Sequence, residues 1–131
     1  MPDRYVILGG DTYPLTEAAR HQIRQLLRER PYPTAFICGG YNQALEIMRA
    51  IRDEGLAIPA DISVVGFDDP VSAAHLAPPL TTVRQPLDEM GRMAMTKLSQ
   101  WLATHTEPQR ENVLPTELIV RCSTGPAKSS G

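Results

Sequence analysis

The chain has 131 residues, 42% of them apolar and 21% charged, with a formal net charge of −2. That length suits one modest domain with a core of its own, and the near-neutral balance excludes both a disordered chain and an electrostatic nucleic-acid footprint. No apolar run approaches the roughly 18 residues a membrane span needs, and the start, Met1-Pro2-Asp3-Arg4, lacks the basic and apolar regions of a signal peptide, so the expected location is the cytoplasm.

In chain order, Arg4 to Leu8 (RYVIL) reads as a strand. Thr16 to Arg30 follows with Ala19, Ile23, Leu26 and Leu27 on one helical face, Thr16 as its cap and Pro31 beyond its end. Thr34 to Cys38 (TAFIC) is a second strand. Asn42 to Glu54 is a second helix, with Leu45, Met48 and Ile51 on one stripe, Asn42 as candidate cap and Gly55 suited to a left-handed end. Ile62 to Phe67 (ISVVGF) is a third strand and Glu117 to Arg121 (ELIVR) a fourth. Three of these runs are nearly continuous in apolar residues, as in strands covered on both faces, which predicts an α/β fold with a parallel sheet and helices on both faces.

The segment His75 to Pro86 (HLAPPLTTVRQP) holds several prolines and reads as an extended connector. The helix after it, Pro86 to Thr104, carries Leu87, Met90, Ala94, Leu98, Trp101 and Leu102 on a broad apolar face that needs a partner surface. Asp88 and Glu89 favour the positive end of its dipole. The tail from 125 to 131 has too little apolar content to fold and is expected to be disordered.

Candidate chemistry centres on Asp68 and Asp69, which follow an apolar strand. In an open parallel sheet ligands bind beyond the carboxyl ends of the strands. An Asp in that place also caps helices, here a short one over Val71 to Leu76, and pattern alone leaves cap and ligand contact both open. Cys38 and Cys122 form no CxxC pair, and His21, His75 and His105 lack metal-ligand spacing, so neither metal nor disulfide framework is expected. Nor does the sequence contain a G-x-S-x-G elbow, a P-loop or a G-x-G-x-x-G fingerprint, so no catalytic residue and no cofactor is assigned. A small α/β enzyme acting on a sugar-like or nucleotide-like substrate is the rival reading.

From Pro31 to Thr124 the sequence closely resembles the carboxyl-terminal part of the lactose-repressor/galactose-repressor (LacI/GalR) family of transcription regulators. The motifs that carry the resemblance are DISVVGFDD, PPLTTVRQP, EMG followed by an alanine, and LPTELIVRCST. The resemblance implies that residues 1–124 are part of a two-lobed effector-binding and dimerisation core shaped like periplasmic sugar-binding proteins. The helix over 86–104 would then pack on a lobe this chain lacks. It implies further a homodimer that senses a small effector, a sugar or sugar derivative, and meets operator DNA only through an absent amino-terminal headpiece. No membrane partner is implied.

Carried over residue by residue, Asp68 resembles the carboxylate that accepts hydrogen bonds from effector hydroxyl or ring N–H groups. Leu87 and Met90 match positions that wall the pocket in relatives, although i and i+3 apolar residues make plain helix core as well. Where relatives carry Ala-Asn-Asp, this chain has Gly39-Gly40-Tyr41. The amide contact is thereby lost: Gly40 offers backbone groups, and Tyr41 either stacks on a sugar ring or covers the helix start. Tyr13 stands close to the place of an expected aromatic stacking platform. Pairing of two copies is implied through the helix bearing Leu45 and Met48 and through His75 and Leu76.

Overall fold

The computed structural model describes residues 15–107 and 111–127. The elements run α1 (Glu17–Arg28), β1 (Ala35–Ile37), α2 (Tyr41–Asp53), β2 (Ser63–Phe67), a 3-10 turn (Val71–His75), β3 (Thr81–Arg84), α3 (Leu87–Thr104) and β4 (Glu117–Ile119). They build a four-stranded sheet in the order β1-β2-β3-β4. β1 and β2 are parallel, as are β2 and β3, with Val65 opposite Thr81 and Phe67 opposite Val83. β4 runs antiparallel to β3, with Thr82 opposite Ile119. The expected parallel sheet is thus a mixed one closed by an antiparallel strand. The strand expected over Arg4 to Leu8 lies outside the described residues.

Local chemistry sets the ends of α1 and α2. Thr16 caps α1, its hydroxyl accepting from Ala19 N at 3.2 Å. α2 begins earlier than its sequence suggests: Gly40 is the cap residue, without a side-chain bond, and Asn42 lies inside the first turn. Beyond its end Gly55 takes φ 73°, a left-handed position that costs glycine nothing.

The core forms where α2 crosses β2. Ala44, Ile47, Met48 and Ile51 of α2 join Ile23 and Leu27 of α1, Cys38, Ile62, Val64, Ala73 and Leu80 in one buried cluster. Each large side chain there contributes about 1.5–3 kcal/mol by leaving water. Gly66 permits the close approach: a Cβ on it would meet Leu80 Cδ2 at 2.9 Å and Ala44 Cβ at 3.5 Å. α1 lies alongside α2, joined by Arg20 to Glu46 and by Arg28 to Glu54. The face of the sheet away from α2 is only partly covered, since Ser63, Val65 and Phe67 are half-buried and Ile37 on β1 is 86% exposed.

Two parts of the chain differ from their sequence reading. The connector over His75 to Pro86 contains β3, a central strand whose Thr81 and Thr82 are fully enclosed. Its threonines and flanking prolines concealed it, because its buried side chains are satisfied by hydrogen bonds rather than by being apolar. Thr81 N donates to Ser123 Oγ at 2.8 Å, and Ser123 Oγ donates to Val64 O at 2.6 Å, so the segment after β4 is stitched into both central strands. Part of the expected loose tail is also tied, since Gly125 N donates to Ser63 Oγ; residues 128–131 lie outside the described part.

α3 ends where expected, at Thr104, and begins one residue later than expected, with Pro86 as its cap residue rather than its first helical one; none of its residues is buried. Leu87, Met90, Met95, Leu98, Trp101 and Leu102 all stand in solvent.

Candidate functional site

Because β1, β2 and β3 are mutually parallel, their carboxyl ends open on one edge of the sheet. Gly40 and Tyr41 follow β1, Asp68 follows β2, and Gln85 with Leu87 follows β3, so topology brings to one edge residues that lie far apart in sequence.

Asp68 is held there in an uncommon conformation. Its φ of 66° lies in the left-handed region, which costs most residues with a Cβ about 1–2 kcal/mol and an aspartate less. Two contacts compensate. Thr82 Oγ1 donates to the Asp68 carbonyl at 2.6 Å, and Gln85 Nε2 donates to Asp68 Oδ1 at 2.6 Å. The side chain is half-buried, an acceptor at a strand end rather than a helix cap: the following 3-10 turn starts from Pro70 with no side-chain cap.

Asp69 is not a cap either. Its side chain, 2% exposed, accepts from Arg121 at 2.7 and 3.1 Å and from Arg84 at 2.6 and 2.9 Å. The Arg121 guanidinium, with Arg84 beside it, holds the Asp69 carboxyl below the ordinary carboxylate value, outweighing the burial that would raise it. Arg121 Nη1 also donates to Leu80 O. This cluster clamps the end of β4 to β2 and β3, so the two adjacent aspartates divide the work: Asp69 faces inward to the frame, and Asp68 lies at the open edge.

The glycine pair leaves space. A Cβ at Gly39 would touch nothing within 4 Å, whereas one at Gly40 would fall 2.6 Å from Gln43 Oε1. The carboxamide of Gln43 therefore lies beside the backbone of Gly40. Tyr41 is half-buried and packs on the core cluster, so it covers the start of α2. Leu87, 61% exposed, begins α3 at this edge, and Met90, 42% exposed, follows one turn on. Tyr13 lies outside the described residues.

The residues expected at a dimer surface separate into two kinds. Met48 is turned into the protomer's own core at 2% exposure and has almost no surface to give a partner, a correction to its place among the contact residues. Leu45 is half-buried, His75 exposed and Leu76 half-buried. Arg52 at the end of α2 donates to Ala77 O at 3.3 Å, so α2 and the His75–Leu76 segment border one another.

Elsewhere a charged groove runs between α1 and α2, where Arg20 bridges Glu17 and Glu46. Its main charges are paired and it lies away from the strand ends, so it is surface relief. Among the described residues no group of three or more His, Cys, Asp or Glu could hold a metal ion, and no helix is long and apolar enough to cross a membrane. Sequence reading missed Gln85, Arg84 and Arg121. The signal for Gln85 was its position directly before Pro86, but with β3 read as a connector no strand end pointed to it.

Comparison with known proteins agrees with this geometry. Residues 2–124 match the periplasmic binding protein-like domain family. The HTH-type transcriptional repressor PurR of Glaesserella parasuis is 39% identical over 123 residues, which span 89% of this chain and 36% of PurR. Among solved structures, the complex of the transcriptional regulator CelR with cellobiose superposes with a TM-score of 0.72 at 35% identity, over 79% of this chain and 32% of CelR. The Lac repressor dimer bound to operator and the anti-inducer ONPF gives 0.71 at 36% identity, over 81% of this chain and 37% of the repressor. The chain thus spans about a third of the length of these relatives. A parallel sheet edge that presents the GFDD aspartate, together with this match along nearly the whole chain, means that the chain belongs to the periplasmic binding protein-like family and, within it, to the effector-binding domains of the LacI/GalR transcription regulators.

Proposed function

We propose that this chain is the carboxyl-terminal part of a sensor that binds a small sugar or sugar derivative and controls DNA binding by a headpiece carried outside the chain. The observation that carries this reading is Asp68, a half-buried carboxylate in a left-handed conformation at the common end of three parallel strands. An ionised acceptor so placed suits the hydroxyl groups of a carbohydrate. The cellobiose bound by CelR supports the ligand class, and the operator bound by the Lac repressor supports the output. Membership of a family of regulatory domains sets aside the rival reading as an enzyme.

In this proposal Asp68 accepts from the effector, Gly40 offers backbone groups, and Leu87, Met90 and Tyr41 contribute apolar walls, with Tyr13 as a further candidate. The regulator acts as a cytoplasmic homodimer, as the Lac repressor is a dimer, and Leu45, His75 and Leu76 are the protomer's contribution to that contact. A thermal-shift screen of sugars, sugar phosphates and nucleobases on the full-length regulator tests the ligand class. A sugar present at a hundred times its Kd is expected to stabilise the folded state by about 2.7 kcal/mol. Stabilisation by nucleobases alone would replace the sugar reading.

A further inference from the structure

We propose that Gln85 is the positioning residue of this site: its carboxamide fixes the Asp68 carboxylate so that one oxygen is occupied and the other is aimed at the effector. The proposal rests on the reading of Asp68 as an effector contact and extends it to a residue outside the GFDD motif. Asp68 Oδ1 accepts from Gln85 Nε2 at 2.6 Å, which is short for an amide donor and fits a charge-assisted bond. Oδ2 has no such bond among the described residues, so it is the acceptor left for a ligand.

The backbone shows why a positioning group is needed. Aspartate enters the left-handed region more readily than most residues with a Cβ, but at a strand end its carboxylate oxygens rotate freely unless something holds them. Thr82 holds the Asp68 carbonyl and Gln85 holds its side chain, both reaching across from the neighbouring strand β3 and its exit. Gln85 is itself fixed, because its carbonyl accepts from Leu87 N at 2.9 Å where Pro86 turns the chain into α3. The donor thus stands on a short, proline-stiffened link rather than on a loop. A carboxylate oriented before the ligand arrives loses less freedom on binding, and preorganisation of this kind raises affinity without any new contact to the ligand.

The test is a double-mutant cycle on the full-length regulator, titrated calorimetrically with cellobiose, lactose and ribose. Gln85→Met keeps the length of the side chain and removes the donor; it should weaken binding of the recognised sugar by about tenfold. Gln85→Lys restores a donor within reach of Asp68 and should recover most of that loss, which a purely structural role for the glutamine would not produce. Asp68→Asn should weaken binding at least as much, and the double variant Asp68→Asn/Gln85→Met should add little to it, because each change removes the same interaction. Sugar binding by Gln85→Met equal to wild type, with Asp68→Asn impaired, overturns the positioning role and leaves the site intact. Fully additive losses make Gln85 an independent ligand contact and overturn it equally. If the wild-type regulator binds none of the three sugars, the sugar reading fails and the proposal fails with it.

Discussion

α2 and α3 make the informative contrast in this molecule. Both carry an apolar stripe at helical spacing, yet α2 seals Ala44, Ile47, Met48 and Ile51 inside the protein, and the longer α3 buries nothing. The difference is topological. α2 connects two parallel strands, and such a crossover must travel back across the sheet, which lays the helix on its face. α3 connects β3 to the antiparallel β4, a connection that requires no crossover, so the chain can leave the sheet and return to it without touching it between. An amphipathic pattern states that a surface must be covered. It does not say by what.

The sharpest test compares one residue from each helix. Ile51→Ala, at a site with no exposure, should cost about 2–5 kcal/mol in urea denaturation of this chain. Leu98→Ala, at 44% exposure, should stay within about 0.5 kcal/mol. In a full-length regulator the Leu98 change should grow toward the cost of a core position, because relatives about three times as long supply further surface. Equal losses from the two substitutions in the isolated chain would remove the distinction between the helices.

The Asp69 clamp belongs to the sealed side, and Asp69→Asn should cost roughly 1.5–3 kcal/mol, the scale of hydrogen bonds to a charged group. The sign of its pH dependence follows from the lowered carboxyl. The unfolded chain takes up the proton first as pH falls, so the contribution is complete above about pH 5 and is lost as pH drops through the folded value. Denaturation measured at pH 7 and pH 3 should therefore show a smaller difference for Asp69→Asn than for wild type.

On the open side, the exposed stripe of Leu98, Trp101 and Leu102 should drive self-association of the isolated chain, seen by sedimentation at micromolar concentrations. Leu98→Asp should weaken it by about tenfold through the charge it introduces, while Leu45→Asp should weaken only pairing through α2. A monomer at high concentration would mean that solvent tolerates the stripe. The smallest effect concerns the two thiols. Burial pushes the Cys38 thiol up to about 12, so at pH 8 iodoacetamide should label the exposed Cys122 and spare Cys38 until the chain unfolds.

The sequence alone determined a great deal. Apolar periodicity placed α1, α2, β1 and β2, because a helix or strand that faces a core repeats its apolar residues at a period fixed by backbone geometry. The GFDD motif placed Asp68 at a strand end. What it could not reveal were interactions between residues distant along the chain. β3 stayed hidden because Thr81 and Thr82 are buried through hydrogen bonds to residues about 40 positions away or to a backbone carbonyl, which no local pattern records. The separate duties of Asp68 and Asp69 were equally invisible: adjacent and chemically identical, they point to Gln85 in one case and to Arg84 and Arg121 in the other. Met48 was placed beside Leu45 at a pairing surface by resemblance, and the sheet decided that its side of the helix lies inside. Periodicity is a property of one segment, whereas the partner of a side chain is decided by which strands pair, and that pairing exists only in the folded molecule.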